Sequence, residues 1–331
     1  MILTLQCIQE DIPGIKWQAL FNKAWPYYRH WFLSEGVINR KGYLSSASKL
    51  KEHMPELVPL YDQLNVLAGG GDLEARFLSM WCPPPYMAGC SQMACHRDNV
   101  FLIRNYDYNP ALFEGNLLYT KWLKPVIGMS DCTWGLLDGM NADGLAASLA
   151  FGGRKVSGEG FGIPLVIRYI LETASTVSEA VEILKRIPIH MVYNVTLTDA
   201  MGNHATVYVS PDREAVVTNL PIATNHQEKV EWPQYAALTA TEERKEVMER
   251  MYANLFENEA YITDKFLEPP LFNYNYEKNF GTLYCINYRV TEKNIRIHWP
   301  ENRMVEQSFE LFTEELITVY LPLRKKKLQI F

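Results

Sequence analysis

Long apolar runs are missing from this sequence, and so is any excess of positive charge. No stretch approaches the roughly 20 apolar residues that cross a bilayer, so no membrane partner is expected. The N-terminal MILTLQCIQEDIPGIKW has neither a charged n-region nor a continuous apolar h-region, which predicts no secretory signal. With a formal net charge of −6, no overall basic field draws the protein to nucleic acid or acidic lipid. The one basic run, Arg324-Lys325-Lys326-Lys327, reads as a solvated tail. Cysteine is sparse: Cys7, Cys82, Cys90, Cys95, Cys132 and Cys285 are scattered with no CxxC pair. That pattern excludes a disulfide framework, and His96 beside Cys95 has no second cluster to complete a structural zinc site. Reduced cytoplasmic thiols, mostly acting as small buried hydrophobes, are the expectation.

What is present suits a folded enzyme-sized core, with 48% hydrophobic and 21% charged residues in 331. That length allows two domains or one large α/β domain. Residues 1 to about 80 read as helical, because Leu57, Leu60, Tyr61, Leu64 and Leu67 recur at three- and four-residue steps. Gly69-Gly70-Gly71 stops that helix, and a second short one is predicted from Asp72 to Met80. Cys82-Pro83-Pro84-Pro85 then predicts an exposed, extended connector, since three prolines continue neither helix nor sheet.

From Cys90 the character changes to strands, predicted at Val100–Tyr106, Leu117–Leu123, Thr133–Leu137 and Gly144–Phe151, with Asp138–Asp143 as a turn. Helices are predicted at Pro164–Thr173 and after the capping box Thr176-Val177-Ser178-Glu179. Further strands fall at Met191–Asp199, His204–Ser210 and Glu214–Asn219. A polar helix follows over Thr241–Phe256, and a hairpin pairs Thr282–Val290 with Ile295–Trp299. Hairpins separated by a helical pair predict antiparallel sheets layered with helices rather than βαβ units.

The chemistry concentrates at Ala88-Gly89-Cys90-Ser91. If the Gly89–Cys90 bond breaks, Cys90 becomes a new N-terminus. Glycine before it leaves the carbonyl open to the thiol and tolerates unusual backbone angles. A free α-amine has a reference pKa of about 7.7–8.0, so it can serve as base to its own thiol near neutrality.

These residues resemble the N-terminal-nucleophile superfamily, in particular the acyl-coenzyme A:6-aminopenicillanic acid acyltransferases (peptidase family C45), relatives of choloylglycine and penicillin V hydrolases. The resemblance rests on Gly89-Cys90 followed by Arg104-Asn105-Tyr106-Asp107-Tyr108. It also rests on Asp138-Gly139-Met140-Asn141-Ala142-Asp143-Gly144-Leu145, Tyr193-Asn194 through Asp199, and Thr224-Asn225-His226. It implies an α+β fold, a four-layer αββα sandwich, with residues 1–89 as a helical prosegment and 90–331 as the catalytic domain. Autocatalytic cleavage between Gly89 and Cys90 is implied as well. Cys90 is then the nucleophile, Asp107 the holder of its amine, Arg104 the cation beside the thiol and Asn194 the oxyanion donor. Arg244 is the expected second arginine, with Arg250 as competitor.

The implied reaction is acyl transfer from a small acyl amide or thioester through a Cys90 thioester. It needs no metal or cofactor, and coenzyme A enters only as part of a substrate. A homo-oligomer is left open. Choloylglycine hydrolases carry an asparagine just after the Gly-x-Asn-x-x-Gly-Leu stretch. Ser148-Leu149-Ala150-Phe151 has none, which points toward the acyltransferase-like branch. Penicillin V- or bile-salt-type hydrolysis, or a non-catalytic small-ligand binder, are the alternatives.

Simpler readings stand beside these. Cys90 alone is a buried thiol like most cysteines. Strand alternation puts Arg104 and Asp107 on opposite faces unless a bulge intervenes. Asn194 sits mid-strand, where asparagine is disfavoured, and needs either a catalytic or a hydrogen-bonding reason. The aromatic cluster Trp25, Tyr27, Tyr28, His30, Trp31 and Phe32 reads as helix packing, and His96 and His226 as structural. A Cys-His-Asp triad using Cys90 or Cys95 with His226 or His96 is the rival mechanism.

Overall fold

The computed structural model describes residues 1–301 and 303–321, so the basic run at 324–327 lies outside the described residues. The chain opens with a strand, β1 (Ile2–Gln9), where helix was expected. The alternation Leu3-Thr4-Leu5-Gln6-Cys7 explains it: Leu3, Leu5 and Cys7 are buried, and the polar residues between them point away. Four helices follow, α1 (Ile15–Phe32), α2 (Tyr43–His53), α3 (Val58–Leu67) and α4 (Asp72–Leu78). Leu57, Leu60, Tyr61 and Leu64 form the buried face, and Gly69 and Gly70 take positive φ to end α3. The aromatic cluster mainly packs α1, with Trp25 on Phe77 at 5.2 Å. Tyr27 and His30 are exposed instead, and Tyr28, besides meeting Phe77 at 5.1 Å, reaches a polar cluster.

The proline connector is extended but largely covered, against expectation, and Cys82, Pro83 and Pro84 are buried. Cys82 donates its N–H to the Gly160 carbonyl (2.9 Å) and accepts Arg40 at its own carbonyl (3.1 Å). Only Pro85 and Met87 of this stretch are exposed.

Then come β2 (Gly89–His96), β3 (Val100–Tyr108), β4 (Asn116–Lys121), β5 (Pro125–Asp131), β6 (Gly135–Asn141) and β7 (Ala146–Phe151). The expected turn at Asp138–Asp143 is displaced. Asp138–Asn141 belongs to β6, and the reversal falls at Ala142–Gly144 with Gly144 at φ +88. The polar residues of β6 are buried because they are bonded: Asn141 accepts Leu145 N–H and donates to the carbonyls of Leu171 and Ala174.

Helices α5 (Ile163–Thr173) and α6 (Val177–Arg186) follow, the latter with the capping box formed as expected. The remainder is β8 (Tyr193–Thr198), β9 (His204–Ser210), β10 (Arg213–Thr218), β11 (Ile222–Ala223), α7 (Pro233–Thr239), α8 (Thr241–Ala253), α9 (Glu259–Phe266), β12 (Gly281–Arg289), β13 (Asn294–Trp299), β14 (Arg303–Ser308) and β15 (Glu315–Tyr320).

Two sheets result. One runs β10-β9-β8-β7-β6-β5-β4-β1-β15 and the other β11-β2-β3-β12-β13-β14. All pairings are antiparallel except β1 with β4. They face each other where β2 and β3 meet β7 and β8. Helix α5 covers β6 and β7, and α6 covers β9. On the far side α8 and α9 cover β2, β3 and β11, burying Met93, Cys95, Phe101, Ile103, Met248 and Phe266. The order helix, sheet, sheet, helix is the four-layer αββα sandwich expected from the sequence. Strand β1 lies between β4 and β15, so residues 1–89 are not a separate helical unit. Among the described residues no helix is long and apolar enough to cross a membrane.

Candidate functional site

Cys90 sits second in β2, directly across from Tyr106, and is fully buried. Strand alternation decides what surrounds it. Cys90, Gln92 and Arg104 face the other sheet, where Gln92 donates to the Asn194 carbonyl (3.1 Å) and Thr196 Oγ1 (2.9 Å). Ser91, Asn105 and Asp107 face the helices.

Arg104 and Asp107 therefore approach Cys90 from opposite faces, as the alternation predicts. Arg104 Nη2 lies 3.2 Å from Cys90 Sγ. Its Nη1 pairs with Asp138, which also accepts the hydroxyls of Tyr284 (2.6 Å) and Tyr288 (2.5 Å). Asp107 stands across from Gly89, accepts Thr282 Oγ1 at 2.6 Å and lies 3.9 Å from Arg244 Nη1. A Cβ added to Gly89 would come within 2.8 Å of Phe280 Cζ and 3.0 Å of Asp107 Cβ. Gly89 is thus required for space; it is not among the positive-φ glycines.

Arg244 closes the helix side. Its Nη1 donates to the Cys90 carbonyl (2.5 Å) and Ser91 Oγ (2.8 Å), and its Nε to the Thr239 carbonyl (2.7 Å). Arg250, the competing candidate, is on the surface, with Glu246 at 4.0 Å its only ion-pair partner among the described residues. A cleft of about 150 Å³ lined by Asp107, Arg244, Pro270, Phe272 and Tyr274 opens on this side.

The residue the sequence reading left without a role is Asn225. Its Oδ1 accepts the Cys90 N–H (3.0 Å) and Arg244 Nη2 (2.7 Å). Its Nδ2 donates to the carbonyls of Ala88 and Phe151, both at 3.1 Å. Tyr235 adds a second donor to Ala88 (2.8 Å). Asn225 therefore brackets the Gly89–Cys90 bond on both sides. The signal was its place in Thr224-Asn225-His226.

Asn194 differs from its expected role. Both of its amide protons are committed, to the carbonyls of Thr224 and His226 at 2.9 Å, so it holds the segment that carries Asn225. Its Oδ1 is buried without a partner. His226 bonds Thr241 Oγ1 (2.9 Å) and is pushed down to about 4 by burial and then by Lys245 and Arg244. Cys95 points into the apolar core under α8, where burial pushes its thiol up to about 12. Exposed His96 closes the far end of β2. Neither histidine is hydrogen-bonded to a thiol among the described residues, and the triad has no geometry behind it.

Burial raises the Cys90 thiol above its ordinary value; Arg104 opposes this and Asp107 adds to it. Arg104 thus has the sign expected, but burial wins. Asp107 is likewise raised by burial, with Arg244, Thr282 and Arg104 opposing.

A family model described as acyl-coenzyme A:6-aminopenicillanic acid acyl-transferase matches residues 95–304, beginning just after Cys90. Solved structures resemble the chain at low identity. A penicillin V acylase from Agrobacterium tumefaciens is 17% identical over 70% of this chain and 90% of its own, with a TM-score of 0.42. A mutant of the conjugated bile acid hydrolase from Clostridium perfringens is 14% identical over 71% and 97%, at 0.41. A Caenorhabditis elegans ortholog of N-acylethanolamine-hydrolyzing acid amidase is 15% identical over 70% and 100%, at 0.46. No curated protein matches the chain at a significant level.

Proposed function

Because the chain belongs to the acyl-coenzyme A:6-aminopenicillanic acid acyl-transferase family, we propose that it is a self-processing cysteine amidohydrolase or acyltransferase acting on small acyl amides or thioesters. The observation that carries this reading is the convergence on Cys90: Arg104 at its sulfur, Asn225 at its nitrogen and Arg244 at its carbonyl.

In the first step Cys90 Sγ adds to the Gly89 carbonyl, the C–N bond breaks, and the acyl group passes to sulfur. Water hydrolyses that thioester, leaving the Gly89 carboxylate, the thiol and a free α-amine at Cys90. The amine then takes the thiol proton, and the thiolate attacks the substrate carbonyl. The ammonium returns the proton to the leaving amine (or thiol) as the bond breaks. Water or an acceptor amine gives up a proton to the α-amine and displaces Cys90 from the acyl group. Asn225 positions that amine, and Arg104 stabilises the departing thiolate.

Intact-protein mass spectra of the wild type and Cys90→Ala test this. The wild type should separate into residues 1–89 and 90–331 while the variant stays whole. A wild type that remains one chain under every folding condition removes the α-amine base and ends the proposal.

A further inference from the structure

Two donors converge on the Ala88 carbonyl, one residue ahead of the Gly89–Cys90 bond. Tyr235 Oη donates to it at 2.8 Å and Asn225 Nδ2 at 3.1 Å. Ala88 and Tyr235 are both buried, and this carbonyl is the only hydrogen-bond partner of the Tyr235 hydroxyl among the described residues. Asn225 ties the place to the nucleophile, because the oxygen of the same amide accepts the Cys90 N–H at 3.0 Å. The Tyr235 ring, on α7, is held by Trp232 stacked at 5.0 Å and Phe151 edge-on at 5.3 Å. Between Ala88 and Cys90, a Cβ on Gly89 would meet Phe280 Cζ at 2.8 Å and Asp107 Cβ at 3.0 Å.

We propose that these groups form the acyl subsite and select N-acylglycyl groups, in which an unsubstituted methylene joins the reacting carbonyl to an acceptor carbonyl two atoms further on. Tyr235 and Asn225 bind the acceptor, and Phe280 and Asp107 exclude an α-substituent. This deepens the function proposed above and rests on it.

The chemistry of self-processing makes the two acyl groups overlap. When Cys90 Sγ adds to the Gly89 carbonyl and the C–N bond breaks, the group carried on sulfur is the Gly89 acyl. Its atoms run carbonyl, methylene, nitrogen, and then the Ala88 carbonyl. A substrate amide places its own acyl group on the same sulfur as its amine leaves, so its first atoms follow the path of Gly89.

Once the tail of residues 1–89 withdraws from this path, Asn225 Nδ2 keeps the Phe151 carbonyl at 3.1 Å, whereas the Tyr235 hydroxyl loses its acceptor. An unpaired buried hydroxyl is costly, so a substrate that restores the acceptor is favoured over an alkyl chain that cannot. An L side chain on the α-carbon meets the Phe280 ring and also Asp107, which β3 fixes directly across from Gly89.

The test compares the p-nitroanilides of N-acetylglycine, pentanoic acid and N-acetyl-L-alanine on the self-processed enzyme. The pentanoyl chain has the same length as N-acetylglycyl without the acceptor. The wild type should favour N-acetylglycyl over pentanoyl by about tenfold or more in kcat/KM, the ratio expected when a buried donor loses its partner. It should favour N-acetylglycyl over N-acetyl-L-alanyl by about tenfold as well, the scale of one overpacked methyl group. Each ratio is taken within one protein, so a general loss of activity cancels, as does competition from the tethered tail. Tyr235→Phe should bring the first ratio near one, and Phe280→Ala should lower the second. If Tyr235→Phe does not fold or cut, the wild-type ratios and Phe280→Ala decide. Turnover with either wild-type ratio near one, or a first ratio unmoved in Tyr235→Phe, overturns the subsite and leaves the enzyme reading intact. A chain that stays whole, or a cut chain that turns over no amide or thioester, overturns both.

Discussion

The backbone N–H of Cys90 donates to the side-chain oxygen of Asn225 at 3.0 Å, and the same oxygen accepts Arg244 at 2.7 Å. Since Asn225 also donates to Ala88, it grips the chain on both sides of the Gly89–Cys90 bond. Asn225→Ala should slow self-cleavage by roughly 10²–10³-fold, the scale of losing one aligned polar contact at a reacting group. Asn225→Asp keeps the acceptor but not the donors, and should fall between. Cleavage half-times followed by mass spectrometry separate the three. Equal rates in all of them would remove Asn225 from the machinery.

Arg104 is buried with Asp138 as its only carboxylate partner at salt-bridge distance among the described residues. Removing one half of such a pair leaves an uncompensated buried charge, worth about 3–5 kcal/mol. Asp138→Ala should lose about that much in urea unfolding. Tyr288→Phe, which removes one hydroxyl from a carboxylate that keeps its cation, should lose about 1.5–3 kcal/mol. A small loss in Asp138→Ala would mean that water replaces the carboxylate.

Asp131 supplies a pH dependence whose sign follows from its raised value of about 7. The folded state holds this proton more tightly than the unfolded chain, whose carboxyl titrates near the ordinary Asp value of about 3.9. The stabilisation is therefore complete below about 3.9 and is lost as pH rises through about 7. Asp131→Asn cannot ionise, so its stability relative to wild type should improve as pH rises from about 4 to 8. Thermal melts of both proteins across that range check the sign. A constant difference would mean that Asp131 does not titrate in the fold.

Much of this was legible because local patterns agreed with the final layers. The capping box at Thr176, the apolar face of α3 and the hairpin over residues 282–299 each declare themselves by spacing alone. The four-layer order and the Gly89-Cys90, Arg104 and Asp107 constellation came through resemblance of motifs. What stayed hidden depended on tertiary partners. Asp138 looked like a turn residue, because a polar residue is stable inside a buried strand only when Arg104 and two tyrosines arrive from elsewhere. Asn194 looked like a donor to substrate, yet its protons are committed to Thr224 and His226. Strand β1 was overlooked because its short alternation preceded a long helical stretch, and its partners β4 and β15 lie far along the chain.

That position of β1 carries the last expectation. It is bonded in parallel to β4 over Gln6–Gln9 and antiparallel to β15 over Ile2–Cys7. Beyond it, Trp17 Nε1 donates to the Thr133 carbonyl, and Trp134 Nε1 to the Leu78 carbonyl, both at 3.0 Å. Cutting at Gly89 breaks one covalent bond and none of these contacts. Pulling out residues 1–89 would open the nine-stranded sheet and expose Leu3, Leu5, Trp17 and Phe21 to water, at about 1.5–3 kcal/mol for each large apolar side chain. The two pieces should therefore co-purify through an affinity tag on Met1 in native buffer, and separate only in guanidinium. Removing the first strand alone should leave insoluble protein, because β4 and β15 would face each other with a strand missing between them. A 90–331 piece that is soluble and active by itself would show instead that β1 is an accessory to the sheet.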